Sequence, residues 1–470
     1  MTIDRERSGA VAIAAAVKSK EVSAVEVIHA ALARIERFNP ILNSFTAVFP
    51  ENALAEATEI DLAIARGEDP GPLAGVPFAV KNLFDIRGIP TLAGSIIRAD
   101  APPAARDAAS VQALRHAGAV LTGALNMDEF AYGFTTENSH YGVTHNPHDL
   151  TRVAGGSSGG PAAAVAAGLV PLTMGSDTNG SIRVPAAFCG IFGLKPTYGR
   201  ISRRGAFLFA SSLDQVGPFA RSVEDIAAAF DALQGPDPLD PVCTARPVEL
   251  CRPGLHRGTS DLRIAVAGGY FAGQGVPVAF EAVSAVAAAL RADRTIEFPE
   301  AGRARAAAYV ITASEGGNHH LPDLRTQAGR FDPLTRSRLL AGSLLPAAWV
   351  NFAQRFRSWY REQVAEVFRE VDVVLAPATP CPAVAIGQET MVLDGREIPS
   401  RPNIGIFTQP VSFIGLPVVT VPVHIEGQMP MGVQLIGAPW SESKLLRVAW
   451  ELESRGVVSA PIAHGFQPRN

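Results

Sequence analysis

The chain has 470 residues, 47% of them hydrophobic and 18% charged, which is material for a large globular core. A net charge of -4 gives no support for a nucleic-acid or anionic-membrane surface, and no run reaches the ~20 uninterrupted apolar residues of a membrane span. The four cysteines (Cys189, Cys243, Cys251, Cys381) lack CxxC or metal spacing, so the sequence points to a reduced, cytoplasmic protein without disulfides or zinc.

The N-terminal MTIDRERSGAVAIAAAV has no apolar core closing on a cleavage site and reads as polar residues entering a helix. Helical periodicity covers residues 8–38, with Asn39-Pro40 predicted to end it, and a second helix is expected over 50–66. VPFAVKNLF, bounded by Gly and Pro, reads as a short buried strand. A helix over 108–118 leads into the strand AVLTGALN. Residues 135–160 form a long irregular segment of the kind that is often functional. Pro161 to Gly168 reads as a helix with Pro161 at its first position, followed by the strand LVPLTMGSD. PDPLDPVCTARPVEL is the expected surface loop. DLRIAVAGG, VDVVLAPATP and LPVVTVPV are expected strands, and 439–455 a closing helix. Strands alternating with helices predict an α/β fold. No repeat is visible, and no linker is polar and long enough to separate domains.

Two serine-bearing glycine clusters frame the helix near 161–168: AGGSSGG, with Ser157 and Ser158, and SDTNGS, with Ser181. Glycine-rich bends let several backbone N–H groups aim at one point, as in an oxyanion hole or a phosphate cradle. They also occur as plain tight turns. GGSSGG lacks the Lys-Ser/Thr ending of a nucleotide-binding loop. A serine nucleophile needs a base, and no His lies in either cluster. Lys81 lies in a predicted buried strand, where desolvation favours the neutral amine and makes it a competent base. The alternative is a lysine that snorkels from a strand end.

GVPFAVKNLFDIRGIPTLAGS, GGSSGG and GSDTNGSIRVPAAFCGIFGLKPT, in this order and with Ser157 and Ser181 24 residues apart, resemble the amidase signature family over nearly the whole chain. The resemblance implies a single α/β/α domain over 1–470, built on a large mixed sheet covered by helices on both faces. Within it, 1–66 would be a helical region, 67–210 the catalytic core, and 211–470 the rest of the sheet and the pocket helices. It implies Ser181 as nucleophile, Ser157 as proton relay after a cis bond from Gly156, and Lys81 as terminal base. The N–H groups of Thr178, Asn179, Gly180 and Ser181 would form the oxyanion hole, Asp177 and Arg183 would brace the loop, and Ser158 would be a structural hydroxyl. No metal or organic cofactor is required.

NMDEFAYGFTTENSHYGVTHNPHD, AFDALQGPDPLDP, YVITASEGGNHHLPDLR and TQPVSFIGLPVV, together with Asn179, resemble the 1-carboxybiuret hydrolases of cyanuric acid breakdown. That implies a small carboxylated biuret as substrate, converted to urea-1,3-dicarboxylate and ammonia. Arg338, Tyr132, His319 and His320 are the candidate substrate-binding residues, the His pair being read as substrate contact or packing rather than metal ligands. The alternatives are a glutamine-hydrolysing amidotransferase A-type subunit, which would carry an acid that NIGIFTQPVSF lacks, and a general small-amide amidase. By the same resemblance the partners would be a small helical accessory subunit and a second copy, as a homodimer or heterotetramer.

Overall fold

The computed structural model describes residues 9–467. Its frame is one mixed sheet of eleven strands. In spatial order these are 45–48, 120–125, 77–81, 172–177, 215–220, 192–195, 418–423, 431–437, 373–377, 264–267 and 294–296. Every strand expected from the sequence is present, shortened by up to three residues at one or both ends.

Two groups of neighbours run parallel: 77–81 with 120–125 and 172–177, and 264–267 with 294–296 and 373–377. The intervening pairs are antiparallel. The central strands are buried at every position, which is why they read as continuous apolar runs rather than alternating ones. Helices 159–166 and 183–188 touch each other and the sheet, and 223–233 and 442–454 pack together against strands 192–195, 215–220, 418–423 and 431–437, which the first pair also contacts.

The N-terminal region departs from the expected single helix. It forms two, Ala10–Lys18 and Ala24–Leu42, broken where Lys20 takes a left-handed conformation. Ser23 restarts the helix with a reciprocal cap: its hydroxyl accepts from Glu26 N–H, and the Glu26 carboxylate accepts from Ser23 N–H at 3.0 Å. The polar lead-in, residues 1–8, lies outside the described residues. Asn39-Pro40 does not end the second helix, which runs on to Leu42. Asn39 instead secures the exit, its Oδ1 accepting from Phe45 N–H (2.7 Å) and Ser44 Oγ (3.1 Å).

Pro161 is the third residue of its helix, not the first, because the helix opens at Gly159. The placement is still benign, since none of the first four N–H groups has a helical acceptor. The irregular segment 135–160 contains four strands of two to five residues before that helix. Residues 236–250 carry no regular element. All four cysteines are free. Among the described residues no helix is long and apolar enough to cross a membrane.

Candidate active site

Three parallel strands end side by side and deliver the chemistry. Lys81 is the last residue of its strand and is paired with Leu125, while Asp177 ends the neighbouring strand. Asp128 follows three residues beyond Leu125. Ligands in such sheets gather beyond the carboxyl ends of parallel strands. Ser157 and Ser158 lie just before helix 159–166, and Ser181 just before helix 183–188.

Lys81 is fully buried, and its Nζ donates to Ser157 Oγ (2.7 Å) and to Ser176 Oγ (2.9 Å). The Gly156–Ser157 peptide bond is cis. Burial pulls the Lys81 ammonium down to about 7, against the opposing charges of Asp128, Asp214 and Asp177. The amine is therefore available in its neutral form near neutral pH.

Lys195 offers an instructive contrast. It is equally buried and drawn down to about 7, first by burial and then by Arg183. Its Nζ, however, donates to Gln215 Oε1 (2.6 Å) and Pro196 O (3.1 Å), acceptors with no proton to give. Only Lys81 touches hydroxyls that can pass it one.

The loop 177–183 is tied down from inside. Asp177 and Arg183, both without exposure, pair in two places: Nη2 to Oδ1 at 2.9 Å and Nε to Oδ2 at 3.0 Å. Burial pushes the Asp177 carboxyl up, but Arg183 and its hydrogen bonds outweigh this and hold it below its ordinary value. Arg183 Nη1 also reaches Thr408 O and Gln434 Oε1, each at 2.9 Å.

Asp177 accepts the Gly180 N–H at 2.7 Å. In the resting structure this member of the expected oxyanion cradle is therefore engaged within the loop. Among the described residues the N–H groups of Thr178, Asn179 and Ser181 have no hydrogen-bond partner. Thr408 Oγ1 lies 2.3 Å from where a Cβ on Gly180 would stand, so only glycine fits there. Ser181 is 3% exposed and its hydroxyl has no partner among the described residues; the second link of the relay, to Ser157, is not a formed hydrogen bond. Such contacts are often long without substrate. Ser158 behaves as a structural hydroxyl, donating to Ser176 O at 3.1 Å.

Arg338 and Tyr132, distant in sequence, are brought together. The guanidinium lies 3.6 Å from the Tyr132 ring centroid, and Nη1 donates to Tyr132 O at 2.9 Å. The His pair has different surroundings. His320 is buried on Phe130, ring centroids 4.0 Å apart, and burial takes its imidazole down to about 3. His319 sits exposed with its ring edge toward Phe207. Neither makes a hydrogen bond to the Lys81 cluster, and His320 Nε2 is buried without a partner among the described residues. No cluster of three or more His, Cys, Asp or Glu suited to a metal occurs among the described residues.

Sequence reasoning missed several participants. Ser176, the second partner of Lys81, stood within SDTNGS beside the serine that drew attention. Asp128, buried behind Gly156 and pushed up to about 6 by burial, stood in the NMDEF block. Asp214, also raised to about 6 by burial, accepts the Thr178 hydroxyl at 2.5 Å and had no local signal.

The amidase family model matches residues 26–446. This chain belongs to the amidase signature family. It is 54% identical to the 1-carboxybiuret hydrolase subunit AtzE of Pseudomonas sp. (strain ADP), over 94% of this chain and 97% of that one. The A subunit of glutamyl-tRNA(Gln) amidotransferase from Carboxydothermus hydrogenoformans is 40% identical, over 93% and 95% of the two chains. A solved vestigial protein complex of an s-triazine catabolic enzyme, inhibitor-bound, superimposes with a TM-score of 0.95 at 53% identity. It covers 96% of this chain and 99% of that one. The chain is thus an amidase signature hydrolase similar to AtzE.

Proposed function

We propose that the chain hydrolyses the terminal amide of 1-carboxybiuret, giving urea-1,3-dicarboxylate and ammonia through an acyl-enzyme on Ser181. The observation that carries the chemistry is Lys81 Nζ, fully buried and 2.7 Å from Ser157 Oγ. The 54% identity to AtzE supports the substrate.

Ser181 Oγ attacks the amide carbon while its proton passes to Ser157 Oγ. The Ser157 proton passes to the neutral Lys81 amine. The oxyanion that forms is met by the N–H groups of Thr178, Asn179 and Ser181, already fixed in place by the Asp177–Arg183 pair. As the C–N bond breaks, Lys81 returns the proton through Ser157 to the leaving nitrogen, which departs as ammonia. Water, deprotonated along the same path, then cleaves the acyl ester and restores Ser181. Arg338, steadied on Tyr132, supplies the cation for the substrate carboxylate. The enzyme works with a small helical companion and a second copy of itself; the solved complex of its relative supports assembly with another protein.

The test is ammonia release from biuret, allophanate, glutamine, simple aliphatic amides and 1-carboxybiuret, the last generated in place by the preceding ring-opening enzyme. The carboxylated biuret should be preferred. Glutamine hydrolysis without turnover of any biuret would replace this reading with an amidotransferase one.

A further inference from the structure

Asn179 stands two residues before Ser181 and is 8% exposed. Its side-chain amide has two ends, and a hydrogen-bond argument fixes which way they point. Asn179 Nδ2 lies 2.8 Å from Thr312 Oγ1, on helix 301–319. The single hydroxyl hydrogen of Thr312 is used on Ala308 O, at 2.7 Å. Thr312 Oγ1 can therefore only accept, so the NH2 end of Asn179 must face it. Oδ1 is left on the other side, buried and without a donor. The main chain of the residue is held as well, its carbonyl accepting from Thr408 Oγ1 at 2.6 Å.

A buried acceptor without a donor is costly and uncommon in a folded chain. Here it belongs to a residue two positions before the proposed nucleophile, whose backbone N–H also has no partner among the described residues. We infer that Asn179 Oδ1 accepts an N–H of the bound substrate, which makes Asn179 a specificity residue for ureas over simple amides. A urea or biuret carries N–H donors beyond the scissile bond, whereas an aliphatic amide carries carbon there. A site built to pair such a donor rejects the analogue that lacks it, because the acceptor then stays unpaired. Thr312 is the positioning residue that keeps the amide from turning over. The inference rests on the urea reading of the substrate given above.

The test compares the wild type with Asn179→Leu and Thr312→Val. For each, kcat/KM is measured on the carboxylated biuret and on an aliphatic amide, alongside the rate of Ser181 labelling by a fluorophosphonate. Asn179→Leu should lower kcat/KM on the biuret about 10- to 100-fold more than it lowers aliphatic-amide turnover or the rate of labelling. Thr312→Val, isosteric and one residue removed from the ligand, should give the same pattern more weakly. Equal losses on both substrates and on labelling would reduce Asn179 to a backbone role and overturn the inference, as would an unchanged biuret rate in both variants. If the wild type labels but ignores carboxylated biurets, the substrate reading falls. The inference is then decided on whichever panel amide is cleaved, against its analogue N-methylated beyond the scissile bond. A wild-type preference for the unmethylated form that Asn179→Leu abolishes sustains it, and a preference that persists in Asn179→Leu overturns it.

Discussion

Asp128 and Ser157 are joined through the main chain: the N–H of Asp128 donates to Ser157 O at 3.3 Å, and the Asp128 carboxylate occupies the space behind Gly156. A Cβ on Gly156 would stand 2.1 Å from Asp128 Oδ2 and 2.5 Å from Thr135 N. Gly156→Ala should therefore displace the Ser157 hydroxyl from Lys81. Since a misplacement of 1 Å can cost about 100-fold, turnover should fall at least that far. Steady-state ammonia release, with circular dichroism to establish folding, checks this; a near-normal rate would show that the glycine is not needed for the approach.

Lys81→Ala should lower kcat by about 10²- to 10⁴-fold, the usual weight of a general base, with the fold retained. The sign of the pH dependence follows from the depressed lysine. Below about 7 the amine is protonated and cannot accept from Ser157; above it the amine is neutral. The kcat/KM profile should rise with pH and level off above that point. Lys81→Arg, charged throughout, should be inactive at every pH, and a flat wild-type profile through neutrality would contradict the assignment of the base.

Ser181→Ala removes the atom that forms the acyl bond. It should lose both ammonia release and labelling by a fluorophosphonate, while its thermal unfolding stays close to wild type because the hydroxyl has no partner among the described residues. Labelling retained in this variant, located by mass spectrometry, would move the nucleophile elsewhere.

The Asp177–Arg183 pair is buried, and removing one member strands the other. Arg183→Met or Asp177→Asn should destabilise the protein by about 3–5 kcal/mol, read from denaturant unfolding, and should disorder the cradle. Activity should fall in parallel. A small stability change would mean that the loop is held by contacts outside the pair, such as Thr408 Oγ1 to Asn179 O.

Arg338→Ala removes the proposed cation of the substrate pocket while sparing the relay. The expected result is a KM raised about 10- to 100-fold, with kcat changed much less, because a uniform binding contact acts on both ground and transition states. A loss confined to kcat would assign Arg338 to the chemistry instead.

Much of this site was legible in the chain itself. Residue types around Lys81, Ser157 and Ser181 raised a nucleophile and a base but left plain turns and a snorkelling lysine open; the resemblance of these motifs to the amidase signature family carried the reaction class. The strands were readable because a fully buried strand is an unbroken apolar run. Tertiary structure alone decided the rest. It separated Lys81 from Lys195, two lysines buried alike, by giving only one of them hydroxyl neighbours. It also committed Gly180 N–H to Asp177, stacked Arg338 on Tyr132, sent His320 into an aromatic cluster, and turned the Asn179 amide by way of Thr312. Apart from the Gly180–Asp177 contact, made within one loop, each of these joins segments tens to hundreds of residues apart, and side-chain direction and partner choice at such distances are set by packing, which no short stretch of sequence encodes.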